Sequence, residues 1–331
     1  MSVVPKARLI VLAPAFNEAD VIERFYESTR AVLDGLAGRW EATLLFVVDR
    51  STDDTLAILA RLAERDPALR VVALSSRFGH QMSLLAGIDA AVDADAIIMM
   101  DSDLQHPPEM IPVLLDRYEA GNDVVHTVRV ETAGGSASRR AAGNLFYRVM
   151  SFLSDTRITP NVADFRLISQ RVATVVREGV RERNLFLRGI FSWVGFQQCY
   201  VEYSAAERAA GSSKYSLSRM MRLALTGILS FSTRPLQLSI YVGMGMALVG
   251  FPIGIIAIIE YFAAADVPSG FTTLVTLLVM ISGVQLVFMG ILGIYVGAIY
   301  EEVKGRPHYV VERRINFPAG APGHAVRTRF S

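Results

Sequence analysis

Two long stretches of this chain carry no charge, and they constrain its architecture more than any other feature. Pro235 to Ile259 contains no Asp, Glu, Lys or Arg, and neither does Val267 to Tyr300. Each exceeds the roughly 20 apolar residues that take a helix across a bilayer. Such runs offer no polar face to water, so a purely soluble fold is excluded. The chain ahead of residue 235 reads as an ordinary water-soluble domain, which excludes a many-pass channel or carrier. Composition agrees: 52% of residues are hydrophobic, only 20% are charged, and mean hydropathy is +0.35. A length of 331 residues suggests two units, at roughly 150 residues each. A net charge of +1 argues against a nucleic-acid partner, which usually selects a basic excess. The single Cys199 excludes a disulfide framework and any multi-cysteine metal site. The first apolar run, Leu9 to Phe16, is strand-length, interrupted by Pro14 and followed by acids, so it does not read as a signal peptide.

The soluble part alternates two periodicities. Arg8–Ala13, Ala42–Val48, Val71–Leu74, Ala96–Met100 and Val124–Val128 are short apolar runs that predict strands buried on both faces. Between them, Glu18–Leu36, Thr52–Ala63, His80–Ala91 and Glu109–Ala120 have helical spacing, with Ser51 or Thr52 as N-cap of the second helix. This alternation predicts an α/β fold, a mainly parallel sheet with helices on both faces. Ligands of such sheets bind beyond the carboxyl ends of the strands. The loops of interest therefore follow Ala13, Val48, Leu74 and Met100.

Three of those four loops are acidic, and Asp101-Ser102-Asp103 is the sharpest motif among them. Residues i and i+2 of an extended segment project to one side. Two hard carboxylates held together suit Mg²⁺ or Mn²⁺, with positions left for water and phosphate oxygens. Gln105 would add a carbonyl oxygen or orient a water. A bare D-x-D is more often a solvated turn with helix-capping acids, and its place after the fourth strand turns the balance to the metal. No Gly-x-Gly-x-x-Gly follows the first strand and no P-loop is present, which argues against dinucleotide and P-loop enzymes. His80 and His106 lie near the site but are not required as bases. A basic set follows: Arg129, Arg139, Arg140, Arg188, Arg208 and Lys214. Arg208 and Lys214 flank Gly211-Ser212-Ser213 just before the first uncharged stretch, a loop suited to a lipid phosphate at a bilayer surface. Asp164 sits between apolar neighbours in Ala163-Asp164-Phe165-Arg166-Leu167, placed to pair with Arg166 or to orient a substrate.

Together these motifs resemble the inverting family-2 glycosyltransferases of GT-A fold, and within them the polyprenyl-phosphate hexosyltransferases, such as bactoprenol glucosyltransferases and dolichyl-phosphate mannose synthases. The residues that carry the likeness are Pro14-Ala15-Phe16-Asn17-Glu18, Ser51-Thr52-Asp53, Phe78-Gly79-His80-Gln81, the run from Asp101 to Glu109, Ala163 to Leu167 and Gly211 to Tyr215. The resemblance implies that Pro14, Ala15, Asn17, Glu18, Asp49, Ser51 and Asp101 line the donor nucleotide. It implies that Asp101, Asp103 and Gln105 hold Mg²⁺ or Mn²⁺ on the donor diphosphate. Asp101, Asp103, Asp164 and Arg188 would be catalytic, and Arg129, Arg139, Arg140, Arg208, Ser213 and Lys214 would meet phosphates. The implied partners are a nucleotide sugar, UDP-glucose first and GDP-mannose second, and a polyprenyl phosphate in the membrane. Two positions depart from the family pattern. Val48-Asp49-Arg50-Ser51 stands where the family usually has Asp-Asp-Gly-Ser or Asn-Asp-Gly-Ser, and Arg77 stands where Asn often precedes Phe-Gly-His. Those departures motivate a competing reading, a membrane scaffold of the same fold with weakened turnover. Retention of Asp101, Asp103 and Gln105 argues against it.

The expected organisation is a catalytic domain over 1–215, an interfacial amphipathic segment over 216–234, a transmembrane hairpin with helices at about 235–262 and 271–300, and a tail over 301–331. The connecting loop from Glu260 to Gly270 has no Lys or Arg, whereas Arg219, Arg222, Arg234, Lys304, Arg306, Arg313 and Arg314 lie on the outer flanks. The positive-inside rule places both termini and the catalytic domain in the cytoplasm. Gly243, Gly250, Gly283, Gly290 and Gly297 would permit close helix packing, including between subunits of a homo-oligomer.

Overall fold

The computed structural model describes residues 6–130, 162–204, 234–263 and 270–318. An eight-stranded sheet runs in the order β7-β5-β6-β4-β1-β2-β3-β8. Its first half is the predicted alternation: β1 (Ala7–Ala15), α1 (Ile22–Gly35), β2 (Trp40–Val48), α2 (Thr55–Ala63), β3 (Leu69–Leu74), α3 (His80–Ala90) and β4 (Ala96–Met99). A short 3₁₀ turn, Pro108–Met110, leads into α4 (Ile111–Glu119) and β5 (Val124–Arg129). The second half supplies β6 (Val162–Ser169), α5 (Gln170–Gly179), α6 (Leu187–Trp193) and β7 (Gln198–Tyr203). Two long helices follow, α7 (Arg234–Ala263) and α8 (Phe271–Val303), and then β8 (Val311–Ile315).

β1 pairs in parallel with β2 and β4, β2 with β3, and β5 with β7. β6 is antiparallel between β4 and β5, and β8 is antiparallel on the outer edge of β3. Leu9, Val11 and Ala13 of β1 face a core completed by Phe25, Leu33, Leu59 and Leu114. Ile10 and Leu12 face the opposite core with Leu85, Ile88, Val176 and Phe191. Both faces are buried, which is why these strands read as continuous apolar runs and not as alternation.

Three expectations are revised. The second helix begins at Thr55, where Asp53 and neither Ser51 nor Thr52 accepts the backbone N–H of Thr55, at 3.1 Å. The segment expected to be helical from Glu109 tightens to a 3₁₀ turn at Pro108–Met110, since Pro112 denies the next turn a donor. The expected tail contains β8, whose Val311, Arg313, Arg314 and Ile315 pair with β3. Of the expected interfacial segment 216–234, residues 216–233 lie outside the described residues, and Arg234 opens α7.

α7 and α8 are long and apolar enough to cross a bilayer, over Ser239–Ile256 and Met280–Val303. Their large side chains are open to the surroundings: Leu248 is 77% exposed, Phe251 74% and Leu286 67%. A Cβ added at Gly243, Gly250, Gly283, Gly290 or Gly297 would meet nothing within 4 Å, so these glycines do not serve contact between the two helices.

Gly87 is different. A Cβ there would lie 2.1 Å from Cδ1 and 2.8 Å from Cγ of Leu12, which is itself fully buried in β1. Gly87→Ala is expected to destabilise the domain by about 1–3 kcal/mol through overpacking between α3 and the sheet. Thermal denaturation against the wild type measures it, and an unchanged midpoint would show that Leu12 can move aside.

Candidate active site

The carboxyl ends of β4, β1, β2 and β3 lie side by side in that order, and their loops form one surface. β4 stops at Met99, so Asp101 and Asp103 sit in a turn, and strand alternation does not aim them. Ser102, 2% exposed, points inward and donates to the carbonyl of Pro14 at 2.9 Å. Asp103 accepts the backbone N–H of Gln105 at 3.1 Å and the Gln105 side-chain amide at 2.5 Å. Leu104 takes a φ of +62° between them, a strained conformation for a branched side chain that the turn imposes. The Gln105 carbonyl oxygen faces Arg129 Nη1 at 3.4 Å, which brings the end of β5 to the same loop.

His106 anchors this turn from beneath. It is buried, stacks on Phe165, and its Nδ1 accepts the backbone N–H of Asp101 at 2.9 Å. Burial pushes its pKa down despite the neighbouring Asp101, Asp103 and Asp164. The ring is therefore neutral, and its proton resides on Nε2, 3.9 Å from Asp101 Oδ2. The anionic side of the site is crowded. Burial first, then Asp103, Asp101 and Asp53, push the Glu18 carboxyl up to about 7. Asp101 is also raised, by burial and by Asp164 and Asp103, against the opposing pull of His106 and His80.

That mutual repulsion fits a divalent cation, whose charge would favour the ionised form of each carboxylate. Among the described residues no three His, Cys, Asp or Glu side chains gather around one point. The carboxylates of Asp101 and Asp103 are the two that such an ion would meet here, with water or other oxygen ligands filling its remaining positions. This is the usual arrangement for Mg²⁺ and related hard ions.

A second cluster faces the first. Asp164, on β6, receives Arg188 Nη2 at 2.7 Å and Nε at 3.1 Å, a bidentate pair. Arg166, 1% exposed, donates to Asp164 at 3.3 Å and lies over the Phe191 ring. His80 Nε2 lies 3.6 Å from Asp164 and 3.7 Å from Asp101, so it spans the two clusters. Burial would raise the Asp164 carboxyl, but His80, Arg188 and Arg166 hold it well below the usual carboxylate range. Burial would lower His80, and the two aspartates outweigh it and raise its pKa. Tyr203 of β7 closes the floor against His106 and Phe165, its hydroxyl pushed up to about 12 by burial and by the three aspartates.

The structure therefore brings Asp101, Asp103, Gln105, Glu18, Asp164, Arg188 and Arg129 to one surface. Other candidates serve the loops. Asp49 is buried and accepts the backbone N–H groups of Phe78 and Gly79, one on each oxygen, both at 2.8 Å. Asn17, with φ +55°, accepts Thr52 N–H at 2.8 Å through its side chain, and its own N–H bonds Ser51 Oγ at 3.1 Å. Asp49, Asn17 and Ser51 thus stitch the β1, β2 and β3 loops together beside Pro14 and Ala15. Arg139, Arg140, Arg208, Ser213 and Lys214 lie outside the described residues. From the sequence, His80 and His106 are set aside, Arg166 is visible as a partner for Asp164, and Tyr203 is not visible at all. Both histidines lie inside motifs already singled out, whereas Tyr203 carries no local signal and reaches the site only through β7.

His126 of β5 illustrates the cost of this polar core. It is fully buried, stacks on Tyr200 and bonds the Gln198 side chain at 3.0 Å. Burial and the nearby Arg166 cation lower its pKa to about 4. The neutral ring is the native form, so its stabilisation is complete above the unfolded value of about 6.5 and is lost as pH falls toward about 4. At pH 5 the loss is about 2 kcal/mol. His126→Phe, which keeps an aromatic ring against Tyr200, is expected to flatten the pH dependence of the melting temperature between pH 7 and pH 5. An equally steep dependence in the variant would place the effect elsewhere.

A mixed sheet of this order, with an acid pair beyond β4 and an opposed Asp–Arg–His cluster, defines a glycosyltransferase of GT-A type. Comparison with known proteins agrees. The family model "Glycosyl transferase family 2" matches residues 10–176, and the chain belongs to that family. The SfII prophage-derived bactoprenol glucosyl transferase of Shigella flexneri is 38% identical over 306 residues, 92% of this chain and 98% of that protein. The prophage bactoprenol glucosyl transferase homolog of Escherichia coli (strain K12) is 36% identical, covering 92% and 99%. The uncharacterized glycosyltransferase YkcC of Bacillus subtilis (strain 168) is 36% identical over 92% of this chain and 93% of its own. Among solved structures, a mannosyltransferase from Pyrobaculum calidifontis in complex with GDP-Man and Mn²⁺ aligns with 92% of this chain and 89% of its own at 15% identity, with a TM-score of 0.48.

Proposed function

We propose that this enzyme is a membrane-anchored, inverting glycosyltransferase that moves one hexose from a nucleotide sugar, UDP-glucose first, to a polyprenyl phosphate. The observation that carries the reading is the joining of the two clusters through His80, followed in the chain by two lipid-length apolar helices. The relatives named as bactoprenol glucosyl transferases, matched over nearly their whole length, support it. So do the exposed large apolar side chains of α7 and α8, a surface suited to lipid and costly in water.

The chemistry follows from the acceptor. A lipid monophosphate, with a second pKa near 6 like other phosphomonoesters, is largely dianionic at neutral pH. It can attack the anomeric carbon without a general base, in contrast to a sugar hydroxyl. Asp101 and Asp103 would hold Mg²⁺ or Mn²⁺, which neutralises the departing diphosphate. Pro14, Ala15 and Glu18 would border the nucleotide. Arg188, positioned by Asp164, would align an acceptor phosphate and offset its repulsion with the donor. Arg129, Arg139, Arg140, Arg208, Ser213 and Lys214 would meet the phosphates of the two substrates. By the positive-inside rule the catalytic domain and both flanks are cytoplasmic.

The test is purified protein in lipid nanodiscs with undecaprenyl phosphate, Mn²⁺ and a panel of UDP- and GDP-sugars, read by product mass. A polyprenyl-phosphohexose formed from UDP-glucose is the expected result. No lipid-linked sugar from any donor would overturn the reading, and product from GDP-mannose alone would correct the donor.

A further inference from the structure

The chain does not end at its second apolar helix but returns to the catalytic domain with almost no slack. Glu302, in the last turn of α8, accepts the backbone N–H of Arg183 at 2.7 Å. Gly305, at φ +58°, turns the chain, and the Arg183 guanidinium then bonds the carbonyls of Arg306 and Pro307 at 3.0 and 3.1 Å. His308 Nε2 meets the Arg181 carbonyl at 3.0 Å. Tyr309 donates to Asp89 Oδ2 at 2.5 Å, and the same buried carboxylate takes Arg181 bidentately at 2.7 and 2.9 Å. The carbonyl of Val310 receives Ser75 N–H, β8 then pairs with β3, and Asn316 shares its side-chain amide among the carbonyls of Ala63, Asp66 and Leu69.

Two of the places gripped by this segment lead directly to the site. Residues 181–183 run into α6, which carries Arg188, and the first N–H of that helix bonds Gln81 beside His80. Ser75 begins the loop whose Phe78 and Gly79 are fixed by Asp49 and which delivers His80, and Arg50 reaches both the Ser75 carbonyl at 2.8 Å and Glu312 at 3.8 Å. The side chains that meet between the Asp101 and Asp164 clusters are thus each one short segment away from the end of α8.

We propose that residues 302–317 are a positioning strap, latched by Tyr309, Asp89, Arg181 and Arg183, that sets the catalytic surface at a fixed height and angle to the membrane end of α8. The proposal rests on the functional reading above, since only an acceptor held in a bilayer demands that registration. A soluble acceptor finds the site by diffusion, whereas the phosphate of an embedded lipid is confined to one plane. A misplacement of about 1 Å can cost 10²-fold in rate.

The experiment compares wild type with Tyr309→Phe, Arg183→Ala and the double variant in three measurements: turnover on undecaprenyl phosphate in vesicles, turnover on water-soluble citronellyl phosphate, and affinity for UDP with Mn²⁺. The double variant is expected to lose about 10-fold or more on the vesicle acceptor and to stay within about 2-fold on the other two. Arg183→Ala, at the surface, keeps the test open should loss of the Tyr309 hydroxyl beside buried Asp89 unsettle folding. Equal losses on both acceptors, or no loss on either, would overturn the strap. Wild-type protein that binds UDP but transfers to neither acceptor would instead remove the functional reading beneath it.

Discussion

Asp103→Asn is expected to lower sugar transfer by roughly 10³-fold or more while leaving the protein folded. The substitution is nearly isosteric, and the turn that holds residue 103 survives, because an amide oxygen still accepts the Gln105 N–H. What disappears is one of the two charges proposed to hold the divalent ion against the donor diphosphate. Turnover with radiolabelled donor, Mn²⁺ affinity by calorimetry and circular dichroism separate the outcomes. Near-wild-type turnover would remove Asp103 from the metal site. Loss of fold would show that the turn, and not the charge, was being tested.

Arg188→Met is expected to cost about 100-fold in turnover with little change in donor affinity. Asp164 would keep Arg166 and His80 as partners, so the carboxylate remains compensated and the domain remains folded. The planar fork of Arg188, which meets both oxygens of Asp164, has no replacement. Arg188→Lys should recover only part of the loss, since an ammonium cannot reproduce bidentate geometry. Steady-state kinetics on both substrates decides. A rise in donor KM with unchanged kcat would move Arg188 from the acceptor side to the nucleotide side.

Much of the first half was legible in the sequence because its strands are parallel and buried on both faces. Leu44 to Val48 and Ile97 to Met99 have water on neither side, so their runs are continuous and hard to mistake. β6 and β7 were missed for a physical reason. β7 alternates half-buried and exposed positions at the sheet edge, and β6 carries Asp164 and Arg166 inward, which breaks the apolar pattern. β8, with Glu312, Arg313 and Arg314 in a five-residue strand, looks like a charged tail until β3 supplies its partner. Among site residues, Asp101 and Asp103 were readable as types, but what aims them was not. That depends on Ser102 reaching Pro14 and on His106 beneath Asp101, contacts across 88 and 5 residues. Asp49 shows the reverse: read as facing a nucleotide, it has both oxygens on backbone N–H groups of the β3 loop.

By itself, the sequence determined the division of labour. Local hydrophobic period separates an alternating α/β domain from two uncharged helices, and period needs no knowledge of long-range contacts. It also determined which loops carry acid, because parallel strands all open toward one end. Only the tertiary structure decided which acids gather beyond β4 and which hold the loops together. Burial and partner geometry, not residue type, push Glu18 up, hold Asp164 down and leave His106 neutral. Only the tertiary structure, too, brings residues 302–317 back across the sheet, because a strand at an edge and a carboxylate such as Asp89 acquire their partners from more than 200 residues away.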